Sequence, residues 1–167
     1  MTVRKISAIC ATALCLAMLQ SCSTASTATR SQRQAETAAL VGERLEKHDF
    51  KIYVSYMSPQ RYPSRDITSD YYVKVGDGRL ISNLPYFGQA QVPTMTYPAQ
   101  GLNFDLPIKS FSENYNEAKL RTDMKIHVSN DEDSYEYVIS LFDNGTADIM
   151  VRPQKCDYVR FSGEIEM

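Results

Sequence analysis

The sequence predicts a mainly β fold, an antiparallel meander of about eight to ten strands forming a strongly curved sheet or partly open barrel, with one N-terminal helix. Three observations lead to this prediction. Apolar and polar residues alternate through most of the last third of the chain. Tight-turn sequences occur at Gly76-Asp77-Gly78 and Asp143-Asn144-Gly145. Only one segment has helical spacing of its apolar residues.

The first 21 residues have the parts of an export signal. Arg4 and Lys5 precede the uncharged apolar stretch 6–19, which is shorter than the roughly 20 residues a membrane-spanning helix needs. The run Leu19-Gln20-Ser21-Cys22 is typical of a bacterial lipobox. We therefore expect cleavage before Cys22 and acylation of its thiol, so that the mature chain is tethered to a membrane by its lipidated N-terminus. The alternative is an ordinary signal-peptidase site near Ser21 or Ala25.

The predicted domain organisation has three parts: a signal peptide at 1–21, a flexible tether at 22–34 and one β-rich domain at 35–167. Residues 23–34 are rich in Ser, Thr and Ala and contain no acidic residue, a composition that favours a disordered linker. Acidic residues directly after the lipidated cysteine promote surface export in Bacteroidetes-type lipoproteins. Their absence favours a cell-envelope protein that faces the periplasm rather than the cell surface.

Charge and cysteine content exclude several functions. The chain has 18 basic and 20 acidic residues, and they are interspersed without a basic stripe, so nucleic acid is not an expected partner. Cys156 is the single cysteine of the predicted domain, which therefore lacks an internal disulfide. We expect a buried, inert thiol, with a free reactive thiol as the alternative.

The helix is predicted over Gln34–His48, where Ala38, Val41, Leu45 and His48 form one stripe and Glu43 and Lys47 form an i,i+4 pair. The segments that follow are predicted to be extended. Inward-facing positions are predicted by alternation. They are Phe50, Ile52, Val54, Tyr56; Tyr71, Val73, Val75; Met124, Ile126, Val128; Tyr135, Tyr137, Ile139, Leu141; Ala147, Ile149, Val151; Val159, Phe161, Gly163 and Ile165.

The middle of the chain is less regular. Residues 57–67 contain two prolines and two arginines and are predicted to form an exposed loop, in which Arg61, Tyr62 and Arg65 are candidates for contact with an anionic ligand. Segments 94–97 and 102–111 are each predicted to be extended, with a break at Pro107 in the second. The prolines between and within these segments indicate edge, bulged or bent strands.

The run Leu84-Pro85-Tyr86-Phe87-Gly88-Gln89-Ala90 resembles a signature of domain-of-unknown-function family 4251, small Bacteroidetes lipoproteins. Gln89 departs from the arginine expected there. The resemblance covers about residues 45–166 and implies an exported, lipid-anchored β-rich domain, with no activity to carry over. Further similar segments are Ser69-Asp70-Tyr71-Tyr72-Val73-Lys74-Val75, Gly101-Leu102-Asn103-Phe104, Asp133-Ser134-Tyr135-Glu136-Tyr137, Asn144-Gly145-Thr146-Ala147 and Phe161-Ser162-Gly163.

The same run is the best candidate for a binding or structural motif. Pro85 and Gly88 indicate a backbone kink, and Tyr86 and Phe87 are suited to line a pocket. The interpretation we favour is structural: a corner after Leu84, in which aromatic side chains anchor the chain and Gly88 lies at a bulge. A binding role is the alternative.

Catalytic and metal chemistry is not indicated. Neither His48 nor His127 has partners at metal-ligand spacing, and no serine or cysteine nucleophile is paired with a base in the sequence pattern. Residues 130–133 carry clustered carboxylates but lack the glycine and spacing of a calcium loop, so a solvated hairpin turn is predicted. We therefore expect no metal, no cofactor and no catalytic residue.

The leading functional hypothesis is a non-enzymatic, lipid-anchored envelope protein that binds or assembles with another envelope protein. A calycin-like carrier of a small apolar ligand is the alternative, because Tyr56, Tyr71, Tyr137 and Phe161 are predicted to face the interior of the curved sheet. A hydrolase is less favoured, since it needs titratable groups that converge in one cleft.

Overall fold

The predicted fold class is confirmed: ten strands form one antiparallel sheet curled into a half-barrel, with one helix before it. The computed structural model describes residues 24–89 and 101–167. The chain divides into two units, Met1–Glu36 and Thr37–Met167. The first includes the beginning of the helix, and the second includes the rest of the helix and all ten strands.

The strands follow the helix in chain order and are joined mostly by tight turns. A single 3-10 turn, Glu117–Lys119, separates the sixth and seventh strands. The bounds are α1 Thr24–Glu46, β1 Phe50–Pro59, β2 Arg65–Asp66, β3 Tyr72–Gly76, β4 Arg79–Leu84, β5 Leu102–Pro107, β6 Ser110–Asn116, β7 Arg121–Ser129, β8 Ser134–Phe142, β9 Thr146–Pro153 and β10 Val159–Ile165.

The order of the strands in the sheet explains its curl. It is β5-β4-β3-β1-β10-β9-β8-β7-β6, with β2 paired to β1 at the side. Strands β5 and β6 are consecutive in the chain yet lie at opposite edges of the sheet. The Ile108 N–H donates to the Gly78 carbonyl over 2.9 Å, and the Lys109 N–H donates to the His127 carbonyl over 2.9 Å. The segment 102–111, predicted to be extended with a break at Pro107, is divided between β5 and β6, because the chain changes sheet edge at these two residues.

The curl brings inward faces of distant strands into contact. The Tyr137 hydroxyl on β8 donates to the Ser82 Oγ on β4 over 2.8 Å. The Phe104 ring on β5 lies 4.7 Å from the Tyr135 ring and 6.4 Å from the Tyr137 ring. Burial raises the pKa of Tyr137 above its ordinary value, so its hydroxyl stays protonated and remains a donor.

The alternation predicted for β7 to β10 is confirmed. Except for Gly163, which is partly buried, every predicted inward residue of these strands is buried, and the apolar ones belong to one hydrophobic cluster. Turn glycines also behave as predicted. Asp77 and Gly78 both have positive φ, 53° and 70°, the combination that a two-residue hairpin with right-handed strand twist requires.

A bulge in β1 reverses part of the predicted pattern. The register of β1 against β10 shifts between Val54 and Tyr56, and one extra residue exchanges the two faces of the strand. Tyr56 is therefore 40% exposed and not inward-facing, whereas Met57, placed in a loop by the sequence, is fully buried. The backbones approach closely here, since a Cβ on Gly163 would overlap the carbonyl oxygen of Tyr53.

Helix α1 begins at Thr24 rather than at Gln34 and ends at Glu46. Val41 joins the core, as the predicted stripe requires, and Leu45 packs against it. Two residues after the helix, His48 has the left-handed conformation, with φ 47°. The His48 N–H donates to the Leu45 carbonyl over 2.9 Å, and the Asp49 N–H donates to the Arg44 carbonyl over 3.2 Å. These hydrogen bonds satisfy carbonyls that a helix end otherwise leaves without a donor.

Several sequence predictions lie outside the described residues: the signal peptide at 1–21, Cys22 and the extended stretch at 94–97. Residues 24–34, assigned to the flexible tether, are helical in the structure. Among the described residues, no helix combines the length and apolar character needed to cross a bilayer.

We expect the contact between Tyr137 and Ser82 to stabilise the curl. Tyr137→Phe leaves the buried Ser82 hydroxyl without its donor and lowers the free energy of unfolding by about 1–3 kcal/mol. In the double variant Tyr137→Phe/Ser82→Ala the loss is smaller than the sum of the two single losses. Urea unfolding followed by far-ultraviolet circular dichroism measures all three.

A matched control is Tyr115→Phe, because the Tyr115 hydroxyl donates to Asp143 over 2.9 Å at an exposed site. Its effect should stay within about 0.5 kcal/mol. Equal losses for the Tyr115 and Tyr137 variants would contradict a stabilising role for the buried contact.

Candidate functional site

The motif predicted from Leu84 to Gly88 directly follows β4. Leu84 ends the strand and is fully buried, while Phe87 is 44% exposed. The Tyr86 ring folds back over Gly88, and a Cβ at Gly88 would overlap the Tyr86 hydroxyl. The neighbouring ring therefore leaves no room for a side chain at Gly88.

Asp157, after β9, holds this motif in place. Its side chain is 3% exposed and accepts hydrogen bonds from the Arg61 Nε over 2.9 Å and the Gln89 N–H over 3.2 Å. The Tyr86 hydroxyl donates to the Asp157 carbonyl over 2.9 Å, and the Asp157 N–H donates to the Gln89 carbonyl over 3.3 Å. Sequence reasoning selected the motif but missed this aspartate, which joins it to the loop after β1.

The phenol of Tyr86 is held in its neutral form. Burial is the main cause that raises its pKa, followed by the neighbouring Cys156 thiol and the Asp157 carboxylate. Cys156 is itself buried, as predicted. Because a protonated phenol donates, the hydrogen bond from Tyr86 to the Asp157 carbonyl persists at every pH at which the chain would normally work.

The turn at 130–133 is only partly as predicted. It is a hairpin turn in which the Asn130 Oδ1 accepts from the Asp133 N–H over 2.8 Å, but Asp133 is buried and not solvated. Its carboxylate accepts from the Ser134 N–H over 2.7 Å and the Lys155 N–H over 3.3 Å. Asp133 therefore ties this turn to the segment that carries Asp157.

We call the hydrogen bonds of Asp157 with Arg61, Tyr86 and Gln89 the clamp. Four side chains beside it form what we call the loop-end surface: Arg61, Tyr62, Arg65 and Phe87. The Arg65 guanidinium lies 4.4 Å from the centre of the Phe87 ring. Tyr62 is exposed, and Arg61 keeps more than half of its side chain in solvent while bound to Asp157. Aromatic and arginine side chains suit contact with a partner better than proton transfer.

The histidines are used elsewhere. The His48 ring lies 4.7 Å from the Phe111 ring and 3.6 Å from a Glu113 oxygen, and His127 lies 3.5 Å from Glu136. Within residues 24–89 and 101–167, no three His, Cys, Asp or Glu side chains are grouped so that they could hold a metal ion.

The fold is a half-barrel of ten antiparallel strands preceded by one N-terminal helix. The sequence profile of the family described as "Domain of unknown function (DUF4251)" matches residues 32–165. This chain therefore belongs to the DUF4251 family, which confirms the resemblance of its motifs.

A solved structure shows the same fold. The crystal structure of a DUF4251 family protein from Bacteroides eggerthii DSM 20697 is similar over 79% of this chain and 90% of that chain, with a TM-score of 0.60 and 14% identity. At this identity the similarity concerns the fold alone. No curated protein matches the chain.

We expect Gly88→Ala to loosen the motif. The added methyl group displaces the Tyr86 ring and breaks its bond to Asp157, so the free energy of unfolding falls by about 1–3 kcal/mol. The control is Gly42→Ala in α1, where a Cβ meets no atom within 4 Å and should raise stability by about 0.5–1 kcal/mol. Urea unfolding measures both. A Gly88→Ala protein as stable as the unmodified one would refute the packing role.

Proposed function

We propose that this protein is a non-enzymatic, lipid-anchored component of the bacterial cell envelope that binds another envelope protein through its loop-end surface. The observation that carries the proposal is the clamp at Asp157. One buried carboxylate fixes loops from two parts of the chain, and this arrangement presents the Phe87 ring and the Arg65 guanidinium together at the surface.

The composition of the loop-end surface supports binding. Tyrosine, phenylalanine and arginine are enriched in protein interfaces, and tyrosine and arginine are common among their energetic hot spots. Among the described residues, Arg65 makes no ion pair with a carboxylate, so its charge is available to a partner. The Phe87 ring already packs against the Arg65 guanidinium. It therefore loses less side-chain entropy when a partner binds, and this lowers the free-energy cost of association.

The membrane anchor rests on Cys22 and the export signal before it. A lipoprotein cysteine carries two or three acyl chains, and since each buried methylene contributes about 0.8 kcal/mol, such an anchor is effectively permanent. The absence of acidic residues after Cys22 supports a periplasm-facing orientation. In this proposal the anchor keeps the domain near the membrane, and the loop-end surface selects the partner.

A calycin-like carrier is the second candidate, and it has less support. Of the aromatic residues on which it depended, Tyr56 faces outward, and Tyr137 and Phe161 are buried within the continuous hydrophobic cluster. Side chains thus occupy the interior that a carried apolar ligand would need.

A hydrolase has least support. Tyr86, Cys156 and Asp157 do converge, but Asp157 is committed to Arg61 and the Gln89 N–H. The Tyr86 phenol is a hydrogen-bond donor with a raised pKa, which is unsuited to activating a nucleophile at neutral pH.

Replacing Cys22 tests the anchor. In its native host, Cys22→Ala should leave the precursor uncleaved at this site and without acyl mass, which intact-mass spectrometry of the membrane fraction detects. Cys156→Ala is the matched control and should be acylated normally. Normal maturation of the Cys22→Ala protein would refute lipid anchoring without affecting the binding proposal.

Site-specific photo-crosslinking in the native host tests the loop-end surface. A photoreactive residue at Tyr62 should give one discrete crosslinked species, and Arg65→Ala should reduce its yield at least about tenfold, as expected for the loss of an interface hot spot. The same probe at Tyr115, a somewhat more exposed tyrosine on β6, is the control. Identical products from both positions, or none from Tyr62, would refute the proposed surface.

A further inference from the structure

A groove of about 550 Å³ lies on the outer face of the sheet, the face opposite the hydrophobic cluster. It crosses β1, β10, β9, β8 and β7 and shares no residue with the loop-end surface. Its volume falls within the range of about 300–1,000 Å³ that is typical of small-molecule sites. The groove is therefore large enough to hold a small-molecule ligand.

Strand register builds the groove from two adjacent rows of side chains. The first row runs Tyr56, Ser162, Asp148 and Ser140, because each is the cross-strand partner of the next. Its middle members are short, and this leaves the space that the groove occupies. Polar groups of this row face solvent along its whole length.

The second row supplies an apolar floor and one cation. Ser58 pairs with Arg160, Arg160 pairs with Met150, and Met150 pairs with Val138. Met150 and Val138 are half-buried in the groove. The groove thus combines a small apolar area with hydrogen-bonding groups on both sides.

Two of the three charged side chains that line the groove, Asp148 and Arg160, are available to a ligand. Ser162 donates to the Asp148 carboxylate over 2.9 Å, and Arg160 stacks 5.4 Å from the Tyr158 ring. Among the described residues neither Asp148 nor Arg160 forms an ion pair. The other charged lining residue, Arg121, is already paired with Asp123 at 3.0 Å.

The bulge in β1 provides the aromatic part of the groove. Because it turns Tyr56 outward, the phenol ring is 40% exposed at the end of the first row. A ring in this position can pack against the C–H groups of a ligand, while its hydroxyl remains available for a hydrogen bond.

We infer that this groove binds a neutral oligosaccharide. A saccharide offers an apolar C–H face to Tyr56 and hydroxyl groups that both donate to Asp148 and accept from Arg160 and the serines. An anionic ligand would be repelled by the Asp148 carboxylate, which no cation neutralises among the described residues. An apolar ligand would desolvate Asp148, Arg160 and the serine hydroxyls without replacing their hydrogen bonds to water, which is costly.

The test uses the full chain purified from membranes in detergent, with tetra-N-acetylchitotetraose, cellotetraose, maltotetraose and mannotetraose as probes in isothermal titration calorimetry. We expect at least one of these neutral tetrasaccharides to bind. Tyr56→Ala and Asp148→Asn should each weaken that binding by about tenfold or more, equivalent to about 1.4 kcal/mol, with circular dichroism unchanged.

Two controls separate this site from other surfaces. Tyr53→Ala removes a tyrosine that is as exposed as Tyr56 and lies on the same strand but does not line the groove. Arg65→Ala alters the loop-end surface. Both variants should bind the saccharide as the unmodified chain does. Failure of all four tetrasaccharides to bind, or undiminished binding by the Tyr56→Ala protein, would overturn the inference.

Discussion

Two residues of chain, Ile108 and Lys109, join the two edge strands of the sheet, and the rest of the structure depends on this short connection. Each extended residue spans at most about 3.3–3.6 Å, so the end of β5 and the beginning of β6 must lie side by side. A flat sheet with this strand order is impossible. The sheet has to curl, and its inward faces then cover one another, as the contact between Tyr137 and Ser82 shows.

The curl also determines what the two faces of the sheet do. Its inner face is covered by side chains from strands at both ends of the sheet, whereas the loops and the outer face leave side chains open to solvent. At the loops, the buried Asp157 carboxylate accepts hydrogen bonds from Arg61 and from the Gln89 N–H, which belong to distant segments of the chain. These bonds hold the two irregular segments together where few apolar side chains do so. The bulge beside Gly163 turns Tyr56 to the outer face, although regular alternation would have placed it on the inner face.

The sequence predicts most of the fold because alternation is a local signal. The inward faces of β7 to β10 follow directly from the pattern, and so does the hairpin at Asp77. The bulge at Tyr56 could not be predicted, because it is set by the approach of β1 to Gly163 on β10. Likewise, nothing near Asp157 in the sequence indicates burial. Its partners Arg61 and Gln89 lie far away in the chain, so only the fold shows that they meet.

The central pairing of the sheet joins its first and last long strands, since Ile52 on β1 lies opposite Ile165 on β10. The consecutive hairpins from β7 to β10 need only local contacts, whereas β1 has to close a loop that spans almost the whole domain. Synthesis supplies β1 first and its partner last. During synthesis, β1 can pair with β3 on one side, but its other edge stays unpaired until the final strand emerges, and a chaperone would have most to shield at this stage.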